Sequence, residues 1–359
     1  MIREEYHTMN YLEWIKQCTP TRWWHDSGSP AEIDLAIKRG ATGVTTNPVL
    51  TYRSFTSEPE FWKEKVLALG DEMEPEERAE ALLKLVATYA ADKVRHIYDE
   101  SDGQDGYALG QLNPSYQGRW DKMLEQGRRV HAWAPNIAVK LPSTAAGVKT
   151  IEHLAEEGIP ICATVNVSVA QAIAVAEAYY RGKKKAIANG VKPPICIVVQ
   201  QVGRIDDYLR DVAYDMELGL DESVITMAGL AMAKRTYQIF QERGYTEDCL
   251  IMPAGLRGAY HLTEMAGGKL LYTISTRVQD MILEADPPQV EKINDPIDPK
   301  VLEQLMQIPE FVRAYEPDGM KPEEFIRFGV VQKLLSQFNE TGWVPLETYL
   351  SNKKSSHWI

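Results

Sequence analysis

Short runs of apolar, often β-branched residues alternate with longer amphipathic stretches along almost the whole chain. The short runs predict strands at 23–26, 43–45, 107–112, 137–141, 161–165, 195–199, 249–253 and 270–274. Between them, apolar positions recur at helical spacing over 29–39, 144–157, 168–181, 205–218 and 260–266. The first of these opens with Ser29-Pro30, a capping hydroxyl followed by a proline at the first helical position. Eight strand–helix units in succession predict an α/β fold of the (β/α)8 TIM-barrel type, closed and parallel rather than an open sheet.

Several segments exceed a minimal barrel. A long helix is predicted at 76–98, another at 221–243, and further helices near 300–306 and 323–338 beyond the Pro-rich stretch that begins at Pro287. The expectation is a single domain over 1–359, with its barrel core at about 20–285 and a C-terminal helical layer at about 286–350. The tail from Ser351 is polar and expected to fray, apart from Trp358 and Ile359. Trp343 and Trp358 fit either a subunit contact in a homo-oligomer or a packed C-terminal helix.

Composition narrows the class of partner. The net charge of −12 disfavours nucleic acid and membrane surfaces, whose phosphates it would repel. Lys183-Lys184-Lys185 is the one dense basic run and reads as a solvated loop face. Of the four cysteines, Cys162, Cys196 and Cys249 lie inside apolar strand-like runs and no Cys-x-x-Cys pair occurs, which points to reduced thiols, no zinc site and a cytoplasmic setting. The charged start, from Met1 to Tyr6, lacks the apolar core of a signal peptide, and no run approaches a membrane span.

In a βα barrel, reacting groups sit at the carboxyl ends of the strands. The most informative strand end is Ile137-Ala138-Val139-Lys140-Leu141-Pro142. Burial disfavours an ammonium, so a lysine here would tend to become a nucleophilic amine suited to Schiff-base chemistry, although many strand-end lysines simply reach solvent. Asp26 ends the first strand as a base or as a cap for the next helix. Asn47-Pro48 ends the second as a ligand contact or as turn chemistry. Gln111 lies in the third, and Thr164 ends the fifth, where it could hold a water. Ser168 reads first as a helix cap. Arg204 and Arg257 each follow a glycine turn at a helix start, and together would clamp an anion where either alone reads as a surface ion-pair residue.

This set, in this order, resembles the transaldolase family. The resemblance rests on His25-Asp26-Ser27, Gly43-Val44-Thr45-Thr46-Asn47-Pro48, Val139-Lys140-Leu141-Pro142-Ser143-Thr144 with Gly147, Ala163-Thr164 with Ser168 and Gln171-Ala172, Val202-Gly203-Arg204, and Gly255-Leu256-Arg257 with the Gly267 turn. It implies a Schiff-base-forming transferase of the class I aldolase kind, without metal or organic cofactor, working in carbohydrate metabolism on the pentose phosphate pathway. By that resemblance Lys140 attacks the ketose carbonyl, Asp26 takes the C4 hydroxyl proton, and Gln111 and Thr164 attend the catalytic water. Asn47, Thr45, Ser168, Gln201, Arg204 and Arg257 form the expected substrate-binding set for a sugar phosphate or other anionic sugar.

Departures from the family pattern bear on the chemistry. Gln111 stands where transaldolases carry a glutamate, and fructose-6-phosphate aldolases also use a glutamine there. Gln201 replaces an aromatic residue, Val199 a serine, and Asn166 and Val167 stand where aromatic or aliphatic residues are usual. The segment 182–194 is longer than expected and could reshape the entrance. Two alternatives follow: a lyase that releases free dihydroxyacetone, and a catalytically silent sugar-phosphate sensor on the same scaffold.

Overall fold

The computed structural model describes residues 9–352. Eight parallel strands run in the order β7-β6-β5-β4-β3-β2-β1-β8. They are β1 Arg22–Asp26, β2 Val44–Thr45, β3 Ala108–Gln111, β4 Ile137–Pro142, β5 Ile161–Thr164, β6 Cys196–Gln200, β7 Cys249–Pro253 and β8 Leu271–Ile274. A parallel bridge between Ile251 and Leu270, just ahead of β8, brings the two edges together. The result is the predicted (β/α)8 barrel, since the edge groups of β7 and β8 meet each other instead of solvent.

Both faces of the strands are buried, and strand alternation sorts the side chains into two cores. Outward positions such as Trp23, Ala108, Val139, Ala163, Val198, Ile251 and Tyr272 join the main cluster under the helices. Inward positions, including Trp24, Leu109, Ala138, Cys162, Ile197, Met252 and Leu271, fill the barrel axis. Gly43 is fixed by this inner packing, because a Cβ there would lie 2.5 Å from the Trp24 ring.

Each predicted strand is present, with no end shifted by more than one residue. The helices differ more. Helix Val169–Ala188 runs past its predicted end and takes in Lys183-Lys184-Lys185, so that triplet is helical; Lys183 meets Asp248 and Lys185 meets Glu152. The segment after it leads into β6 from the amino-terminal side, so its length does not act on the strand-end mouth. The predicted 221–243 helix divides into Glu222–Ile225 and Ala228–Glu242.

Helices Tyr11–Cys18, Pro48–Ser57, Pro59–Leu67, Trp120–His131, Thr276–Ala285 and Pro309–Tyr315 had no counterpart in the periodicity. For Pro48–Ser57 the reason shows in its buried face, which includes Thr51 and Ser54. Polar positions on the buried face erase the apolar stripe that pattern reading depends on.

The C-terminal layer packs over the strand-end side. Helix Gly329–Phe338 continues into a π-helical turn, Asn339–Trp343, and then helix Val344–Thr348. Gly342 rests on the backbone of Pro48 and Val49, where a Cβ would come within 2.6 Å of the Val49 nitrogen. Trp343 is fully buried within its own chain and donates to Glu347 Oε1 at 3.2 Å, which is the packed-helix reading of this residue; Trp358 lies outside the described residues. Buried Arg78 donates to the carbonyls of Gly70 (2.7 Å), Tyr349 (2.9 Å) and Leu350 (2.9 Å), fixing the end of this layer. Arg78→Ala strands these acceptors, and the expected loss is about 3 kcal/mol of unfolding free energy. Denaturant unfolding checks this, and an unchanged midpoint contradicts the anchoring role.

Candidate active site

Strand parity decides which side chains reach the axis. Val139 and Leu141 point outward with the helix-facing cluster, so Lys140 between them points inward at the carboxyl end of β4. The same parity turns Asp26, Thr45, Gln111, Thr164 and Thr273 inward at the ends of β1, β2, β3, β5 and β8. Gln111 is the register partner of Lys140 across the β3–β4 ladder.

Lys140 is only 6% exposed, and its Nζ donates to the Thr46 carbonyl at 3.2 Å. One residue earlier, Thr45 Oγ1 donates to Asp26 Oδ1 at 2.7 Å and lies 2.5 Å from Thr273 Oγ1. With its hydrogen on Asp26, Thr45 accepts from Thr273, so a hydroxyl chain runs into the carboxylate. Consecutive residues of one segment therefore hold the amine and the carboxylate. Asp26 is not a helix cap, because Ser29 accepts from Glu32 N and caps Pro30–Lys38. Thr273 escaped the sequence reading, and its only signal was an inward polar position at the end of β8.

Asn47 is both a cap and a cavity residue. Its Oδ1 accepts from Leu50 N at 2.9 Å, which leaves the amide nitrogen to donate toward the cavity that Asn47 lines. Gln111 is 4% exposed, and its Oε1 has no hydrogen-bond partner among the described residues. A buried acceptor left open in this way suits a bound water or substrate hydroxyl. Gln201 Nε2 approaches Thr164 Oγ1 at 3.4 Å, a long contact that places both beside the end of β5.

Ser168 is buried and engaged elsewhere: it caps helix Val169–Ala188 and donates to Gln171 Oε1 at 3.2 Å. It does not line the cavity that holds Asp26 and the arginines. Gln171 itself is a residue the sequence reading noted only as motif. Its Nε2 donates to the carbonyls of Ser143 (3.0 Å) and Val165 (3.1 Å), and its Oε1 accepts from Val167 N at 3.0 Å. Val165 has φ +54°, a strained conformation for a β-branched residue. Gln171 thus ties the loops after β4 and β5 together and holds the turn that follows Thr164.

The two arginines differ. Arg257 is already engaged: Nε and Nη2 reach Asp207 Oδ2 at 3.1 and 2.5 Å, and Nη1 donates to Gly255 O at 2.8 Å. Its backbone N–H donates to His261 Nδ1, so Nε2 of that buried ring carries the proton toward Asp206 Oδ2 at 2.9 Å. Burial pushes the Asp206 carboxyl up against the opposing pull of His261. Burial also works against ionised Asp207, but Arg257 and Arg210 outweigh it and hold its carboxyl below the ordinary value. Gly203 leaves room for this arm, since a Cβ there would lie 2.1 Å from Gly255 O and 2.8 Å from Arg257 Cγ.

Arg204 meets no carboxylate within ion-pair distance among the described residues. Burial and then the Arg257 charge lower its proton affinity. Both arginines line a cavity of about 220 Å³ together with Asp26, Asn47 and Thr273. Among the described residues no group of three or more His, Cys, Asp or Glu is placed to hold a metal ion, and no helix is long and apolar enough to cross a membrane.

An inward amine, a tethered carboxylate and a guanidinium with no carboxylate partner among the described residues thus share the strand-end side of one parallel barrel. A family model described as Transaldolase/Fructose-6-phosphate aldolase matches residues 23–324. The chain belongs to that family and is a transaldolase-like enzyme. It is 28% identical over 332 residues to a protein named Transaldolase from Thiobacillus denitrificans, covering 88% of this chain and 89% of that one. It is 26% identical over 215 residues to a Transaldolase from Neisseria gonorrhoeae, with 59% of each covered. A Transaldolase from Mycolicibacterium paratuberculosis is 29% identical over 225 residues, covering 58% of this chain and 57% of the relative.

Gln171→Ala removes the tie between the two loops and leaves buried donors and acceptors open. The expected destabilisation is about 3 kcal/mol, measured by denaturant unfolding. A variant as stable as the parent shows that the loops hold their shape without it.

Proposed function

We propose that this enzyme transfers a dihydroxyacetone unit from a ketose phosphate, or a similar anionic ketose, to an aldose through a Schiff base on Lys140. As a free amine, Lys140 adds to the ketose carbonyl, and loss of water gives the protonated imine. Asp26 takes the proton from the C4 hydroxyl as the C3–C4 bond breaks, with the bonding pair passing into the iminium to form an enamine. The shortened aldose leaves, the acceptor aldose enters, and the steps reverse: the enamine adds to its carbonyl, Asp26 returns the proton, and water hydrolyses the imine. Thr164 and Gln111 hold that water, Asn47 and Thr45 orient the dihydroxyacetone end, and Gln201 supports Thr164. Arg204 meets the terminal anion, with Arg257 held beside it by Asp207.

The observation that carries this reading is the buried Lys140 amine on Thr46 O, one residue from the Thr45 hydroxyl that tethers Asp26. The reading extends to a single domain working in the cytoplasm, with neither nucleic acid nor a membrane as partner; the net charge of −12 supports the exclusion of those two partners. Free dihydroxyacetone is the product of the competing lyase reading, which Gln111 favours because the fructose-6-phosphate aldolases that this chain resembles also carry a glutamine at that position.

Ketose consumption measured with and without an acceptor aldose separates the two. Transfer predicts that the acceptor accelerates donor consumption and suppresses free dihydroxyacetone, while Lys140→Met lowers turnover by at least about 1000-fold with the fold intact. Equal rates of dihydroxyacetone release with and without acceptor establish cleavage instead. Residual turnover near the parent level in Lys140→Met contradicts the Lys140 Schiff base that both readings share, and a parent protein that turns over no ketose leaves the sugar-binding barrel.

A further inference from the structure

We propose that Arg53 is a third guanidinium contact for the substrate's terminal oxyanion and sets the preference for anionic over neutral donors. The inference rests on the function proposed above and extends it to a residue beyond the Thr-Thr-Asn-Pro motif.

Arg53 stands on helix Pro48–Ser57, whose N-cap is Asn47. Asn47, Val49, Leu50 and Arg53 all line the cavity that holds Arg204 and Arg257. Leu50 and Arg53 are three residues apart, so they share one face of the helix. The opposite face, with Thr51, Ser54 and Phe55, is buried in the protein. Helix orientation therefore aims Arg53 along the cavity wall, where Gln337 from the C-terminal layer also takes part.

Charge at this wall is unbalanced. The lining holds three guanidinium groups, Arg53, Arg204 and Arg257, against the single carboxylate of Asp26. Asp207 answers the charge of Arg257. Arg53 and Arg204 meet no carboxylate within ion-pair distance among the described residues. Four other arginines do find one, Arg39 at Asp280, Arg95 at Asp99, Arg128 at Glu157 and Arg181 at Glu152, whereas exposed Arg277 and Arg327 also lack one among the described residues; what sets Arg53 apart is its place on the cavity wall beside Arg204 and Arg257. Like charges converging on one concave wall repel, and an oxyanion bound between them removes that repulsion while accepting from their N–H forks. Arg53 is the exposed member of the set. Its long stem lets the head swing onto a ligand that has entered.

The test compares donor kcat/KM for fructose 6-phosphate and for unphosphorylated fructose, each with saturating glyceraldehyde as acceptor, in the parent, Arg53→Gln and Arg53→Lys. The preference for the phosphorylated donor is expected to fall about tenfold in Arg53→Gln, mainly through its KM, and to recover in part in Arg53→Lys. Competitive inhibition by inorganic phosphate gives an independent reading, with its inhibition constant about tenfold weaker in Arg53→Gln. A preference and a phosphate inhibition constant both within about twofold of the parent overturn the role of Arg53 while leaving the proposed function standing. A parent enzyme that turns over neither sugar overturns the proposed function, and this inference falls with it.

Discussion

The mouth of this protein depends on one geometric constraint: eight strands closed into a ring, each with alternate side chains facing the axis. Once Ile251 and Leu270 bring the sheet edges together, inward parity at the strand ends selects Asp26, Thr45, Gln111, Lys140, Thr164 and Thr273. A register slip of one residue in β4 would turn Lys140 into the apolar helix-facing layer and bring Leu141 to the axis. The apolar neighbours Val139 and Leu141 make that slip costly. Ordinary core packing thus holds a long amine inside a barrel whose lower part is filled by Trp24, Leu109 and Met252.

Around that ring, neighbouring residues fix the groups at the strand ends. Thr45 and Thr46 link the Asp26 carboxylate to the Lys140 amine, and Gln171 secures the strained turn after Thr164. Asp207 fixes the Arg257 side chain while His261 and Asp206 fix its backbone. The division of labour between the arginines follows: Arg257 is pre-oriented and largely neutralised, and Arg204 keeps its charge open. The C-terminal layer belongs to the same arrangement, since Gly342 seats on the head of the helix that Asn47 caps and Gln337 and Phe338 reach the cavity.

The strands were legible because their apolar runs are short, β-branched and punctuated by turns, and the polar strand ends stood out against them. Lys140, Asp26 and Asn47 could be read this way from single strand ends. Helix Pro48–Ser57 could not, because Thr51 and Ser54 replace apolar residues on its buried face, and Arg53 was hidden with it. The tie between Asp207 and Arg257 joins residues 50 positions apart on different elements, and no local pattern reports such a pair. Ser168 shows the opposite case: its capping role was readable locally and is the role its hydrogen bonds display.

In the proposed mechanism the inward amine of Lys140 is the nucleophile. Borohydride reduction in the presence of dihydroxyacetone, followed by peptide mass mapping, tests it most directly. One reduced adduct is expected, on the peptide that contains Lys140. An unmodified Lys140, or an adduct confined to an exposed lysine such as Lys192, contradicts it.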